Sequence, residues 1–203
     1  RDVEKIYRKD VLILWNVYRY FETYAGKNSK FKIQNSKSTN VLDVWISART
    51  KELVNSTTEY LDVYDTVRAT RAIEEYVNDL STWYLRRSRG REDARFFMTL
   101  HESLVKTSQV IAPFMPYIAE ALHLNLVPHE SVHLAAWPKK EKLTKEEKTG
   151  LEEMKEVRNL ASLALAKRAE AGIKVRQPLQ KLKVKRSKIK INEVVLNILK
   201  DEI

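Results

Sequence analysis

Three groups of residues in this 203-residue chain have types and spacings that could do chemistry. The first is His129-Glu130-Ser131-Val132-His133, two histidines four apart with a glutamate between them. On a helix the two imidazoles would share a face and could hold zinc, with Glu130 as the general base of a peptidase. The context argues against it. Pro128 and Pro138 bracket a segment too short for that helix, and β-branched Val132 ahead of an apolar run favours extended chain. A third ligand would have to be a downstream carboxylate, and the glutamates between Glu141 and Glu156 fall on an ordinary solvated helix. His101 and His123 lie inside helical patterns and read as surface or satisfied core residues. With no cysteine, there can be no thiolate zinc site, iron–sulfur cluster, disulfide or cysteine nucleophile. The four glycines form no phosphate-cradling loop. The expectation is no catalytic residue and no metal site.

The other two groups are basic. Arg86, Arg87, Arg89 and Arg91 crowd the end of a helical pattern, with Trp83 one turn before Arg86 and Arg87. The stretch from Lys174 to Lys190, with Lys174 and Arg176 at its start, holds eight Lys or Arg and no acid. Arginine holds phosphate bidentately and stacks on bases, and an indole offers a face to an unstacked base, so the first cluster suits an RNA loop. The bland alternative is that these arginines offset the negative end of their helix dipole while the aromatics pack in the core. The whole chain carries 37 Lys+Arg against 27 Asp+Glu, a formal charge of +10, which suits a polyanionic partner. A basic helical adaptor for acidic protein or membrane surfaces stays open at this level.

The elements that must position these residues are mostly helices. Apolar residues recur at three and four from Val3 to Ala25. Gly26 to Thr39 reads as a loop. Asn40 can cap a helix whose face is Leu42, Trp45, Ile46, Leu53, Val54 and Leu61, and Asp65 can cap a third helix running to Tyr84. A fourth passes through Phe97, Leu100, Leu104, Ser108 and Ile111 and should end at Pro113; Pro116 suits the first turn of a fifth, reaching Leu126. Val127 to Pro138 is the least helical stretch. Thr144 and Glu147 have capping-box spacing ahead of one more long helix. Beyond Gly172, Leu182–Lys185 and Ile189–Ile191 alternate in the strand manner, and Asn192 can cap a last short helix. The expected fold class is mostly α: a helical bundle over residues 1–171, followed by the start of a truncated α/β piece over 172–203. Trp15, Trp45, Tyr84, Phe114 and Tyr117 are expected in the core, with Asn16 and Asp43 orienting helices through hydrogen bonds. No apolar run is long enough to span a bilayer, and the chain starts at Arg1 with neither Met nor a signal-peptide pattern. A cytoplasmic piece of a longer protein is expected, with no membrane partner.

At these residues the sequence resembles the anticodon-binding region of the isoleucyl-tRNA synthetases, within the class I aminoacyl-tRNA synthetases. Leu14-Trp15-Asn16-Val17-Tyr18-Arg19-Tyr20-Phe21 is like the family's first bundle helix, and Leu42-Asp43-Val44-Trp45-Ile46-Ser47-Ala48-Arg49 follows in order. Leu80-Ser81-Thr82-Trp83-Tyr84-Leu85-Arg86-Arg87-Ser88-Arg89 is similar to the family's Ser-Asn-Trp-Tyr-Ile-Arg-Arg-Ser-Arg helix end. Ile111-Ala112-Pro113-Phe114-Met115-Pro116 looks like its Ala-Pro-Phe junction. Ser131-Val132-His133-Leu134 with Trp137-Pro138 resembles its Ser-Val-His connector, which absorbs the apparent zinc pattern. Ala171-Gly172-Ile173-Lys174-Val175-Arg176-Gln177-Pro178-Leu179 resembles the segment after its last long helix. Valyl and leucyl enzymes share parts of the Trp-Tyr and Ala-Pro-Phe signals. The chain departs from the family after Arg89, where Gly90-Arg91-Glu92-Asp93 replaces a basic and aromatic continuation.

The resemblance implies an anticodon-binding bundle that contacts isoleucine tRNA through its anticodon arm. Trp83, Arg86, Arg87, Arg89, Arg91, Lys174 and Arg176 are the residues it singles out. It also implies a parent ligase that uses ATP and Mg to attach isoleucine, through catalytic and editing domains. The family's His-Ile-Gly-His and Lys-Met-Ser-Lys-Ser signatures are absent from this chain, so no cofactor is expected here and no catalysis by this piece alone.

Overall fold

A computed structural model describes residues 4, 11–25, 40–175, 177, 179 and 191–203. Seven α-helices order the described residues: α1 (Leu12–Ala25), α2 (Val41–Asp62), α3 (Thr66–Asn78), α4 (Ala94–Ile111), α5 (Pro116–Leu126), α6 (Lys145–Glu170) and α7 (Glu193–Glu202). No strand occurs among the described residues. The two expected strands fall almost wholly on residues outside that set, as do the start of the first helical pattern and the expected loop before Asn40.

The helix boundaries follow from local chemistry. The Asn40 side chain accepts from Leu42 N at 2.9 Å, Asp65 from Arg68 N at 2.9 Å and Asp93 from Phe96 N at 2.9 Å. Each occupies one of the donors that a helix start leaves unsatisfied, an effect of about 1 kcal/mol per cap. Thr144 and Glu147 form a reciprocal capping box at the head of α6. Pro116 opens α5 at a position whose N–H would have no partner anyway.

The chain divides into two compact units, residues 1–143 and 144–203. The boundary expected after residue 171 therefore lies inside the second unit. In the first unit α2 packs on α3 and α4, and α4 also packs on α5 and α1. Ile46, Leu53, Ile73, Tyr76, Phe96, Phe97, Leu100 and Leu104 form the fully or almost fully buried centre of this unit. Several of its buried polar groups pair with one another. The Tyr76 hydroxyl lies 2.7 Å from Thr50 Oγ1, and His123 Nδ1 lies 2.9 Å from Ser108 Oγ. His101 Nε2 donates to the Leu126 carbonyl at 3.0 Å. Both histidines are therefore structural, His123 buried and His101 half-buried.

Three of the expected core aromatics differ in degree. Trp45 and Tyr84 are buried, Trp15 and Phe114 are half-buried, and Tyr117 is 91% exposed. Tyr117 is the second residue of α5, where the turn after Pro116 faces outward before the helix meets α4.

The connector of residues 127–144 is tied to α2 and to its neighbours. Trp137 Nε1 donates to Thr58 Oγ1 at 2.8 Å, and Asn55 exchanges two hydrogen bonds with the Glu141 backbone. The Lys106 ammonium, 2.8 Å from the Glu141 carboxylate, holds that group below its ordinary pKa against a smaller upward push from burial. Glu120 Oε2 accepts from Val132 N at 2.8 Å, which seats buried Val132 at the turn.

In the second unit α6 and α7 pack together, burying Met154, Val157 and Ala161 of one and Val195, Ile198 and Leu199 of the other. The end of α6 is a Schellman motif: Ile173 N donates to Arg168 O at 2.9 Å and Gly172 N to Ala169 O at 3.1 Å. Gly172 sits at φ 67°, the left-handed conformation that this cap needs.

Candidate nucleic-acid interface

Arg86 to Arg91 are placed by a change of helix type. After α3 the chain does not stop but widens into a π-helical stretch, Asp79–Leu85, in which the Arg86 N–H reaches back to Ser81 O. A π turn holds more residues than an α turn, so every side chain after it is rotated relative to the α pattern upstream. Asp79, buried at its head, accepts from Arg49 Nε at 3.0 Å. A short helical turn, Arg86–Ser88, follows.

The chain then reverses. Arg89 has φ −59° and ψ 134°, Gly90 has φ 87°, and Arg91 N donates to Ser88 O at 3.1 Å. This is a type II β-turn, whose third residue must take positive φ and is therefore glycine. The turn leaves Arg89 at an exposed corner and sends Arg91 back into the bundle.

Arg91 and Trp83 consequently differ from their expected role. The Arg91 guanidinium forms a bidentate pair with the fully buried Asp43 carboxylate, at 2.7 and 2.8 Å, and also bonds Asp93 at 2.9 and 3.0 Å. Its Cζ lies 5.1 Å from the centre of the Phe96 ring. With both carboxylates and a ring occupying it, Arg91 is committed to the fold. Burial opposes its charge but the carboxylates win, and its pKa is raised further. The same Asp43 accepts from the Tyr84 hydroxyl at 2.8 Å, and burial above all pushes the Tyr84 phenol up. Burial also pushes the Asp93 carboxyl up, but the hydrogen bonds from Arg91 and the Phe96 N–H outweigh it and leave the pKa lowered.

Trp83 is only 7% exposed, so a base finds no open indole face here. The Arg87 guanidinium instead lies 5.3 Å from the Trp83 ring, four residues on, which makes Trp83 the support for Arg87. Arg86 is exposed, and its Nε donates to the Thr82 carbonyl at 2.8 Å, the helix-end contact foreseen by the bland alternative. The cluster thus presents Arg86, Arg87 and Arg89 to solvent or partly so.

Lys174 belongs to the second unit, where its side chain is exposed and its carbonyl accepts from Arg168. Arg168, which sequence reasoning missed, is 3% exposed and also donates to the carbonyls of Val175 (3.0 Å), Gln177 (2.5 Å) and Ile203 (2.7 Å). Its only sequence signal was a charge on the apolar side of a helix. Arg176 lies outside the described residues.

The zinc-like string finds no helix. Residues 129–133 lie in the connector, His129 at φ 70°, and both His129 and His133 are exposed. The two imidazoles therefore lack the one-turn helical spacing that the peptidase chemistry uses. No group of three or more metal-ligand side chains gathers among the described residues, and no described helix is long and apolar enough to cross a membrane.

A family model described as the anticodon-binding domain of tRNA ligase matches residues 43–184. The chain is similar to an isoleucine–tRNA ligase of Clostridium tetani, 36% identical over 220 aligned positions that take in all of this chain and 21% of that protein. It is 38% identical over 200 positions to the isoleucine–tRNA ligase of Thermus thermophilus, covering 90% of this chain and 19% of that one. With the isoleucine–tRNA ligase of Deinococcus radiodurans the figures are 37% over 197 positions, 91% and 18%. The chain spans about a fifth of the length of the curated relatives it matches.

Proposed function

The chain belongs to the anticodon-binding domain family of tRNA ligases, and from that premise we propose that it grips the anticodon arm of isoleucine tRNA within an isoleucine–tRNA ligase. The parent enzyme would act in the cytoplasm, using ATP and Mg to attach isoleucine, with its catalytic and editing domains as partners of this one. The chain itself supplies recognition and no chemistry.

The observation that carries this reading is the Arg86–Arg89 corner. A π-helical stretch and a type II turn place three guanidiniums in a short span, while the fourth, Arg91, is folded inward to hold the turn. Guanidiniums held in a short span on rigid backbone can take up successive phosphates of a loop, releasing counterions as they do. Arg87 braced on Trp83 loses less freedom on binding than a solvated side chain would. Lys174 and Arg176 supply further cationic contacts from the second unit.

The test is a filter-binding titration of the whole chain against isoleucine tRNA and against the same tRNA carrying the anticodon arm of another. The expected result is tighter binding to the intact tRNA, with log K falling against log salt at a slope of about −3 to −4, as about five phosphate contacts to a single strand would give. Equal affinity for both RNAs would refute recognition of the arm.

A further inference from the structure

Tyr20 and Tyr24 stand one turn apart on α1, their ring centroids 4.6 Å apart and their planes inclined at 37°. The Tyr20 ring meets the wholly buried Phe96 edge-on at 6.4 Å, so it is braced from behind, whereas Tyr24 is 47% exposed. Opposite them the type II turn contributes Arg89, Gly90 and Arg91. With Glu92 at the rim, these residues bound an open cleft of about 450 Å³. That volume lies within the range of small-ligand pockets.

The charges of the cleft are unequal. Arg91 is neutralised by Asp43 and Asp93, while Arg89 is exposed and has no ion pair among the described residues. The cleft therefore offers the Tyr20 and Tyr24 rings and the Arg89 cation, with the Glu92 carboxylate also in its lining. The side chain missing at Gly90 leaves open space above the turn, with nothing within 4 Å of where a Cβ would stand. A flat, neutral ring bearing an anionic group fits this arrangement. Duplex RNA does not, because its bases are stacked on one another.

Resting on the tRNA-binding reading, we propose that this cleft holds one unstacked nucleotide of the RNA loop, its base against Tyr24 and its phosphate at Arg89. Trp83, buried beneath Arg87, is thereby replaced as the stacking platform by a pair of tyrosines on another helix.

The probes are an anticodon-arm hairpin RNA and a set of the same hairpin with one loop base at a time removed to leave the bare ribose. The whole chain is expected to lose about tenfold in affinity at one abasic position, the size of one lost base–aromatic stack. Tyr24→Ala should lose about tenfold on the intact hairpin and become indifferent to that position, and Tyr24→Phe should behave like the unmodified chain. Tyr24→Leu keeps an apolar side chain on α1 without an aromatic face. It should match Tyr24→Ala, and it stands in should the alanine variant fail to fold by circular dichroism. Full affinity in Tyr24→Leu, or undiminished sensitivity to the abasic position, would overturn the assignment while leaving the tRNA reading intact. No binding of the hairpin by the unmodified chain would overturn both.

Discussion

Asp43→Ala should destabilise the first unit by about 3–5 kcal/mol, the range seen when one partner of a buried ion pair is removed. The Asp43 carboxylate is wholly buried and accepts from both Arg91 nitrogens and from the Tyr84 hydroxyl. Its loss leaves a guanidinium that is 20% exposed with one carboxylate instead of two, and a buried phenol with no acceptor at Asp43. For a unit of this size the melting temperature should fall by about 10 °C, measured by circular dichroism. Asp43→Asn keeps one carbonyl oxygen as acceptor and should lie between. A change below about 1 kcal/mol in the alanine variant would mean that Arg91 finds water or another partner at no cost, contradicting its role as the clamp of the turn.

The triple variant Arg86→Gln, Arg87→Gln, Arg89→Gln is expected to act the other way round, on binding and not on folding. Three phosphate contacts to a single strand account for about 2 units of slope in log K against log salt, so the variant should lose most of the salt dependence of tRNA binding. Between 50 and 200 mM salt, the unmodified chain should weaken by roughly an order of magnitude more than the variant. Its stability should stay within about 1 kcal/mol, because these side chains are exposed or half-buried. Adding Lys174→Gln should remove a further part of the slope. An unchanged slope in the triple variant would move the RNA surface elsewhere.

These two results would separate what the sequence made legible from what it hid. Helix starts at Asn40, Asp65, Thr144 and Asn192 are readable because a cap is a local event, one side chain meeting a backbone N–H two or three residues on. The break between Pro113 and Pro116 is local for the same reason. The apolar faces of α2 and α4 follow from helical periodicity, and Asp43 was recognisable as a hydrogen-bonding residue on one of them.

The arginine corner could not be resolved this way. Whether the Arg86 N–H bonds four or five residues back leaves no mark in composition, yet it decides which side of the helix Trp83 and the arginines occupy. Gly90 does announce a turn. The inward return of Arg91, however, depends on Asp43, 48 residues earlier, and a long-range pair of that kind has no sequence spacing to read. Trp83 therefore looked available beside its arginines and is covered in the fold. Tyr24 falls within the helical pattern that runs to Ala25 and stands half open beside the turn. Tyr117 likewise fits an apolar pattern, but lies at the start of α5, where no helix among the described residues covers it.

The central claim is that this domain holds the anticodon arm. Hydroxyl-radical footprinting of isoleucine tRNA with the whole chain tests it most directly. Protection is expected to be confined to the anticodon stem and loop and to be lost in the triple arginine variant. Protection of the acceptor arm, or a uniform weak footprint over the whole tRNA, would contradict it.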